Sequence, residues 1–486
     1  MYSSVLVSNR GEIALRVIST LQEHGIEAIV TVSDADKDSL IASRADRVLH
    51  LPGNSPTETY LNIEAIVAGA KVLGVHAVHP GYGFLSENSK FSQAVIDAGI
   101  DFIGPTPDQM IAFGDKMRAR ELAIKTGTPL VPGTNTTMSD EDLFEEAKNI
   151  GFPVLIKASA GGGGRGIRLV NKAKDFLSEL SQAKNEAKVA FNDDRVYVEK
   201  FVKHGRHIEV QVIGDGNGSI YHFGERDCSM QRKNQKLIEE SPSTAISRKR
   251  ASKIHETAVN LVSEINYKNA GTVEFLVDKD AHYFLEVNAR IQVEHPVTEF
   301  VTGEDLIWRQ IEVAAAAESD LHQDTLKLKG HAIEARINAE NPFENFIPSI
   351  GRIHRIKHPI GSGVRVDSAI QDNDVISPYY DSMISKVIVH SHDRNAAIRK
   401  MVSVLDNYLI SGVHTTVPFI RQILKESDFK NNKHHTRYLE TYKQEIPSEI
   451  LEFARIAAAS QNKSEIKHKS SSKTSAWNNR AWGVQY

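Results

Sequence analysis

The sequence predicts an α/β and α+β multidomain protein: an open parallel sheet at the N-terminus, a strand-rich middle unit and a mixed C-terminal unit. A chain of 486 residues is too long for one ordinary core and implies roughly two to four domains. Its first ~110 residues alternate strand and helix patterns, as the repeats of an open parallel sheet do. From about Gly114 to Lys329 the pattern changes to strands, hairpins and a glycine tract, and from Gly330 to about Tyr442 strands and helices mix.

Within the first unit, residues 5–8 read as a short buried strand, and Ala14, Val17, Ile18 and Leu21 then recur at helical spacing. Residues 26–32 predict a second strand, 61–73 a helix, 75–79 a strand, 91–98 a helix and 100–103 a strand. Pro105 and Pro107 punctuate the end of the unit. The turn after the first strand is SNRGE, with a single glycine, so a dinucleotide-binding fingerprint is excluded. The tail from Ser460 is rich in Ser, Lys and Asn and is expected to be mostly disordered. Its Trp477 and Trp482 leave a docking segment as the sharper reading.

Composition narrows the function classes. Apolar residues at 41% and charged residues at 25% are ordinary for a soluble globular protein. A formal net charge of −4 gives no global attraction to nucleic acid or to anionic membranes. The single cysteine, Cys228, excludes an internal disulfide framework and a cysteine-only metal site, and fits a reducing cytoplasm. The opening MYSSVLVSNRGE lacks the apolar run of a signal peptide. No apolar stretch approaches the ~20 residues of a membrane span. A soluble cytoplasmic protein is expected.

Three segments carry chemistry. In FPVLIKASAGGGGRGIRLV (152–170) the glycines Gly161, Gly162, Gly163, Gly164 and Gly166 sit between two β-branched runs, so they predict the tip of a hairpin. A Walker loop would need Lys-Ser/Thr and a following helix, which are missing. Glycines let backbone N–H groups approach phosphate oxygens, so the hairpin can act as a flap over a nucleotide, with Lys157 at its base. A flexible surface hairpin is the plainer alternative. RVYVEKFV (195–202) is a strand that matters only if its backbone edge can hydrogen-bond an adenine.

GTVEFLVDKDAHYFLEVNARIQVEH (271–295) is the most informative. A tight turn at 279–281 would set Glu274 opposite Glu286 across a hairpin. Opposed carboxylates repel, so a cation belongs between them, and Mg²⁺ with nucleotide phosphates suits oxygen ligands. Period-2 alternation places Glu286, Asn288, Arg290, Gln292 and Glu294 on one face of an extended segment. That row is a poor core face and a good site, although a solvated strand would look the same.

With these residues the chain resembles the biotin carboxylase family of ATP-grasp enzymes, found in acetyl-CoA, propionyl-CoA and pyruvate carboxylases. The likeness covers about residues 1–445. It includes SNRGEIALR (8–16), HPGYGFLSEN (79–88), FIGP (102–105), GDK (114–116), KASAGGGGRGI (157–167) and EKFV (199–202). RHIEVQV (206–212), ERDCSMQRKNQK (225–236), EVNARIQVEHPVTE (286–299), HAIEARINAE (331–340) and PYYDSMISKVI (378–388) follow in order. The resemblance implies an N-terminal biotin carboxylase domain (1–113), an ATP-grasp domain (114–330) with a glycine-rich lid at about 131–203, a C-terminal biotin carboxylase domain (331–445) and a helical or disordered tail (446–486).

It also implies roles. Lys116 and Lys157 match the lysines on the ATP phosphates. Glu199, Lys200 and Val202 match the adenine strand, and His207 and Gln231 the ribose side. Glu274, Glu286 and Asn288 match the Mg²⁺ (or Mn²⁺) site, in agreement with the hairpin argument. Lys236, Arg290, Gln292 and the Val293 backbone match the bicarbonate pocket, Glu294 the base, and Arg336 the arginine that steadies the biotin anion. The implied chemistry runs from bicarbonate and ATP through carboxyphosphate, shielded from water by the flap, to carboxybiotin. Two departures stand out: Asn234 replaces a usual histidine near the ribose, and Ala160 replaces a glycine at the start of the flap. Cys228 matches a family cysteine and is expected in buried packing.

A carbamoyl-phosphate or purine-carboxylating ligase is the nearest rival, and RIQVEH, Arg336 and PYYDSMISKVI argue against it. A silent nucleotide-binding regulator is disfavoured because Glu294 and Lys236 are present. There is no A-M-K-M type biotin-attachment motif, so a biotin carboxyl carrier protein and a carboxyltransferase are expected on separate chains, around a homodimer. The length of the tail favours an acyl-CoA carboxylase or a two-subunit pyruvate carboxylase.

Overall fold

A computed structural model describes residues 1–134, 138–159, 166–279, 281–318 and 320–442. The flap glycines Gly161 to Gly164, Ala160 and the tail with Trp477 and Trp482 lie outside the described residues. Residues 1–342 and 346–442 form one compact unit, while 343–345 group with 443–486 in a second, of which only 343–345 are described.

The N-terminal sheet is parallel and open. Its strands are β1 (Ser4–Val7), β2 (Glu27–Val32), β3 (Arg47–His50), β4 (Ala77–His79) and β5 (Asp101–Phe102), in the order β3-β2-β1-β4-β5. The helix Gly11–Glu23 buries Ile13, Ala14, Val17, Ile18 and Leu21, the stripe that helical spacing marks in the sequence. Asparagines start the next helices. The Asn62 side chain accepts from Ala65 N–H ahead of Ile63–Leu73, and Asn88 accepts from Phe91 N–H ahead of Ser89–Asp97. β3 escaped the sequence reading because its residues are mostly exposed and carry no apolar run. Pro107 begins a helix, Pro107–Gly114, whose Thr106 forms a capping box with Gln109.

A small lid sheet follows. It pairs β6 (Val154–Ala158) with β7 (Ile167–Val170) and β8 (Val196–Lys200), in the order β7-β6-β8. Ala158 N–H donates to the Gly166 carbonyl at 2.9 Å, and β6 pairs antiparallel with β7, as the two β-branched runs predict.

The largest element is one antiparallel sheet of eight strands. It contains β9 (Arg206–Asp215), β10 (Ile220–Arg232), β11 (Gln235–Ser241), β12 (Lys268–Val277), β13 (His282–Asn288) and β14 (His331–Asn338), then Val364–Ser368 and Met383–Ser391. The order is β13-β12-β9-β10-β11-β14, followed by Met383–Ser391 and Val364–Ser368. β11 and β14 pair directly from Ile238↔Ala335 to Ser241↔Ala332. The middle and C-terminal segments therefore share a sheet. The helix Arg394–Asp406 packs on one of its faces, through Ala397, Ile398, Met401 and Leu405 against Ile333, Ala335, Val387 and Val389. The short helix His295–Thr302 covers Ala332 and Ile388 on the other.

Candidate active site

The hairpin of β12 and β13 sets Glu274 opposite Glu286, but not by a tight turn alone. Asp278 N–H donates to the Ala281 carbonyl at 2.9 Å, which makes the turn one residue shorter than the sequence reading. From Val277↔His282 to Phe275↔Phe284 the register would carry Glu274 onto Leu285. A bulge between Phe275 and Glu274 inserts one residue, and Glu274 then faces Glu286. Without that bulge the second carboxylate would fall on the opposite face of the sheet.

The acid row extends further than the hairpin. On the next strand Glu274 pairs with Glu209, and Glu209 pairs in turn with Arg226 on β10. Three carboxylates therefore lie side by side across β13, β12 and β9. The Lys236 ammonium offsets part of that charge. It donates to Glu209 at 2.6 Å, Glu274 at 3.0 Å and Glu294 at 2.6 Å. The fully buried Arg226 guanidinium reaches Glu209 at 2.5 Å. Burial would push the carboxyls of Glu209 and Glu274 up, but the cations override it and hold both below the carboxylate range. Glu286 is the exception. Burial and the charge of Glu274 push its carboxyl up, and it receives no side-chain hydrogen bond from a described residue.

The alternation expected through 286–294 ends early. β13 stops at Asn288, and Glu294 becomes the residue before the helix His295–Thr302. The side chains still converge by bending. Asn288 Nδ2 donates to Glu274 at 2.9 Å and Gln292 Nε2 does so at 3.2 Å. Arg290 donates to Asn288 Oδ1 at 3.0 Å, to Gln292 Oε1 at 2.9 Å and to Glu87 at 2.9 Å. Asn288, Gln292 and Glu294 are all buried, so the row is no solvated strand.

Glu294 is fully buried between two cations, Lys236 at 2.6 Å and Arg336 at 2.8 Å. Burial and Glu209 push its carboxyl up, and Lys236, Arg336 and Arg226 bring it below its ordinary value, so it stays ionised near neutral pH. Cys228 Sγ lies 3.7 Å from it in full burial, which pushes the thiol well up and leaves it a packing group. Arg336 Nε also donates to Glu239 at 2.5 Å. Behind this group the fully buried Lys386 donates to the Val293 carbonyl at 2.8 Å and approaches Glu12 at 3.2 Å.

On the lid side, Glu199 ion-pairs with Lys157 at 2.5 Å and with Arg120. The backbone edge of β8 is largely taken: Thr134 N–H donates to the Val198 carbonyl and Lys200 N–H to the Pro132 carbonyl. Val202 lies past that pairing. Lys116 forms no ion pair with a described residue, and burial with the like charge of Lys157 depresses its ammonium. His207, expected beside a ribose, stands 3.2 Å from Glu274 and 3.5 Å from Glu209. Burial opposes its charge, yet the carboxylates raise the imidazole to about 9. Lys233 and Asn234 both have positive φ, forming the two-residue turn between β10 and β11. Asparagine suits that conformation.

These groups surround one cavity of about 1100 Å³, above the upper end of ordinary small-molecule sites. Its lining includes Lys116, Lys157, Glu199, Lys200, Val202, His207, Gln231 and Asn234. Lys236, Glu274, Glu286, Asn288, Arg290, Gln292, Val293 and Arg336 line it as well. Gly166 and Glu294 do not reach the wall, and Glu294 lies behind Lys236 and Arg336, which do. Sequence reasoning missed Glu209, Arg226, Glu239, Glu87 and Lys386. Alternation of His207, Glu209 and Gln211 in RHIEVQV could have revealed the first.

Family models match the chain in sequence: "Biotin carboxylase, N-terminal domain" over 1–110, "Carbamoyl-phosphate synthase L chain, ATP binding domain" over 115–322, and "Biotin carboxylase C-terminal domain" over 334–441. Biotin carboxylase 1 of Bacillus subtilis is 44% identical over 445 residues, 91% of this chain and 99% of that protein. The chain belongs to the biotin carboxylase family. A pyruvate carboxylase subunit of Methanothermobacter thermautotrophicus is also 44% identical, over 93% of this chain and 92% of its own length. The biotin carboxylase domain dimer of Hydrogenobacter thermophilus 2-oxoglutarate carboxylase, solved with MgADP, ADP and bicarbonate, has a TM-score of 0.87 and 43% identity. It is matched over 91% of this chain and 100% of that one. As a biotin carboxylase the protein is an ATP-dependent ligase, and the flanking biotin carboxylase domains set aside the carbamoyl-phosphate alternative. Among the described residues no helix is long and apolar enough to cross a membrane.

The metal-site residues pass a chemical test. Glu274, Glu286 and Asn288 offer oxygen atoms only, which suits a hard divalent cation. Glu286, which no described side chain hydrogen-bonds, supplies charge for it, while Glu274, shared with the tighter group of His207 and Glu209, already bonds Lys236.

Proposed function

We propose that Glu294 takes the proton of bicarbonate, that Lys236, Arg290, Gln292 and the Val293 backbone hold that anion, and that Arg336 steadies the charge developing on biotin. The observation that carries this reading is one ionised, fully buried carboxylate bonded at once to Lys236 and Arg336. Those two cations cover it and line the cavity, so an anion that draws them toward itself opens the way to the base. Positioned base catalysis of this kind is worth about 10²–10⁴-fold.

Lys116 and Lys157 hold the ATP phosphates under the flap of Gly161, Gly162, Gly163, Gly164 and Gly166. Glu199, Lys200 and Val202 border the adenine, and His207, Gln231 and Asn234 the ribose. Glu274, Glu286 and Asn288 would hold Mg²⁺ or Mn²⁺, which when bound offsets negative charge on the transferring phosphoryl group. The depressed ammonium of Lys116 and the raised carboxyl of Glu286 support this placement, since for each the cost of burial outweighs the opposite charges nearby and MgATP would add more of them.

Biotin arrives on a carrier protein, with the carboxyltransferase on another chain, and the enzyme works as a cytoplasmic homodimer; the H. thermophilus domain dimer supports the last assembly. The complex served is an acyl-CoA carboxylase acting on acetyl-CoA or propionyl-CoA. The M. thermautotrophicus relative favours a second reading, the biotin carboxylase component of a two-subunit pyruvate carboxylase. Bicarbonate-dependent ATP hydrolysis stimulated by free biotin tests the residue assignment through Glu294→Gln, which should lose it. Native co-purification with identification of the carboxyltransferase decides between the two complexes.

A further inference from the structure

Arg336 is held by two carboxylates, and only one of them, Glu294, has a part in the proposed reaction. The NH2 nitrogen of Arg336 donates to Glu294 at 2.8 Å and its Nε to Glu239 at 2.5 Å. Both glutamates are fully buried. Glu239 comes from β11 and stands opposite Glu334 of β14. Its second oxygen and both oxygens of Glu334 have no hydrogen-bond partner among the described residues. Arg336 is therefore the one side chain among the described residues that bonds the Glu239 carboxylate. A brace for the fold would be expected to use both oxygens, because an unmet buried acceptor is costly.

Building on the proposed roles of Glu294 and Arg336, we propose that Glu239 is a positioning residue that keeps Arg336 in place while the base releases it, so that deprotonation of bicarbonate hands Arg336 from Glu294 to biotin. The bicarbonate O–H bond breaks and a Glu294 O–H bond forms. Bicarbonate passes from one negative charge to two, and Glu294 from one to none. A hydrogen bond between two charged groups is roughly twice as strong as a neutral one, so the NH2 side of Arg336 loses its stronger hold. The Nε side keeps its own. Once the phosphate left when carboxyphosphate gives up CO₂ has taken the proton of the biotin ureido nitrogen, the biotin anion replaces the lost carboxylate as counter-charge. The number of negative charges around the guanidinium is the same before and after.

The electrostatics favour the same direction. Burial raises the Glu239 carboxyl, Arg336 lowers it and the charge on Glu294 raises it, and together they leave it at about 7. Neutralising Glu294 removes that last contribution, so Glu239 becomes more firmly ionised as Glu294 lets go. The arrangement orders the reaction: biotin obtains its arginine only after bicarbonate has lost its proton.

The two carboxylates should therefore act on biotin with opposite sign. Binding of free D-biotin to the full-length protein, followed by ligand NMR titration without bicarbonate, gives the readout. Glu294→Gln, which imitates the protonated base, should tighten biotin about fivefold, and adding Glu239→Gln to that variant should weaken it about fivefold again. Glu239→Asp should recover part of the loss. A brace would move both variants the same way, and that result, or unchanged affinity in Glu294→Gln, overturns the hand-off. If Glu239→Gln does not fold, the Glu294→Gln arm decides alone. Wild-type protein without bicarbonate-dependent ATP hydrolysis would instead defeat the functional reading. Unchanged biotin affinity on adding Arg336→Lys to Glu294→Gln would defeat the role of Arg336.

Discussion

Glu239 and Glu240 are neighbours on β11, both buried, and they point to opposite faces of the eight-stranded sheet. Glu240 is fully met. Arg394 donates to it at 2.6 and 2.9 Å and His331 lies at 3.0 Å. Burial would raise its carboxyl, but these partners hold it well below the carboxylate range. Glu239 has a single side-chain partner among the described residues, and burial leaves its carboxyl at about 7. The face packed by the helix Arg394–Asp406 satisfies its charges internally. The cavity face leaves Glu286 without a side-chain hydrogen bond and Glu239 with one oxygen unmet among the described residues, as a surface awaiting charged ligands does. Incomplete partnering separates the working face from the supporting one.

The largest effect should come from the cavity face. Glu294→Gln is expected to cut carboxylation by about 10³-fold or more while ATP affinity is kept; undiminished turnover would mean that the two faces do not differ in kind. Glu240→Gln should act on stability alone. It removes the carboxylate that pairs with Arg394, leaving that cation the Phe429 and Lys430 carbonyls, and costs about 3 kcal/mol in chemical denaturation, with KM for bicarbonate and biotin unchanged in the folded protein. A kinetic defect there would blur the comparison. Lys236→Gln should lower kcat/KM for bicarbonate about tenfold, and an unaltered bicarbonate dependence would contradict its place in the pocket.

The pH response sharpens the contrast further. The folded-state pKa of Glu240 lies below its unfolded value, so its stabilisation is present above about pH 4.5 and is lost as pH falls. Thermal melts from pH 6 to pH 3.5 should show that loss, and Glu240→Gln should flatten the slope. The smallest effect concerns the turn between β10 and β11. Asn234→His should change ATP affinity by about two- to threefold, because histidine also tolerates positive φ. A tenfold change would give this position a larger share in nucleotide binding.

The sequence made local pattern legible and left tertiary partnering hidden. Helical spacing exposed the stripe of Gly11–Glu23, and the two β-branched runs predicted β6 and β7. The opposition of Glu274 and Glu286 was readable in outcome, although the bulge that produces it was not. β3 lacked a buried run. Lys386 and Glu12 meet only because distant segments fold together, and nothing near either residue in the chain announces the contact. The role expected of His207 was narrower than its surroundings. Its imidazole sits among carboxylates that β9 and β12 bring together by register.

The pairing of β11 with β14 also bears on how the chain can be divided. The family models leave a gap between 322 and 334, and a cut there looks natural for expressing the pieces separately. Such a cut would pass just before a hydrogen-bonded seam and leave two bare strand edges, each a template for wrong pairing. Fragments severed at that point should precipitate, and they should recover only when made together.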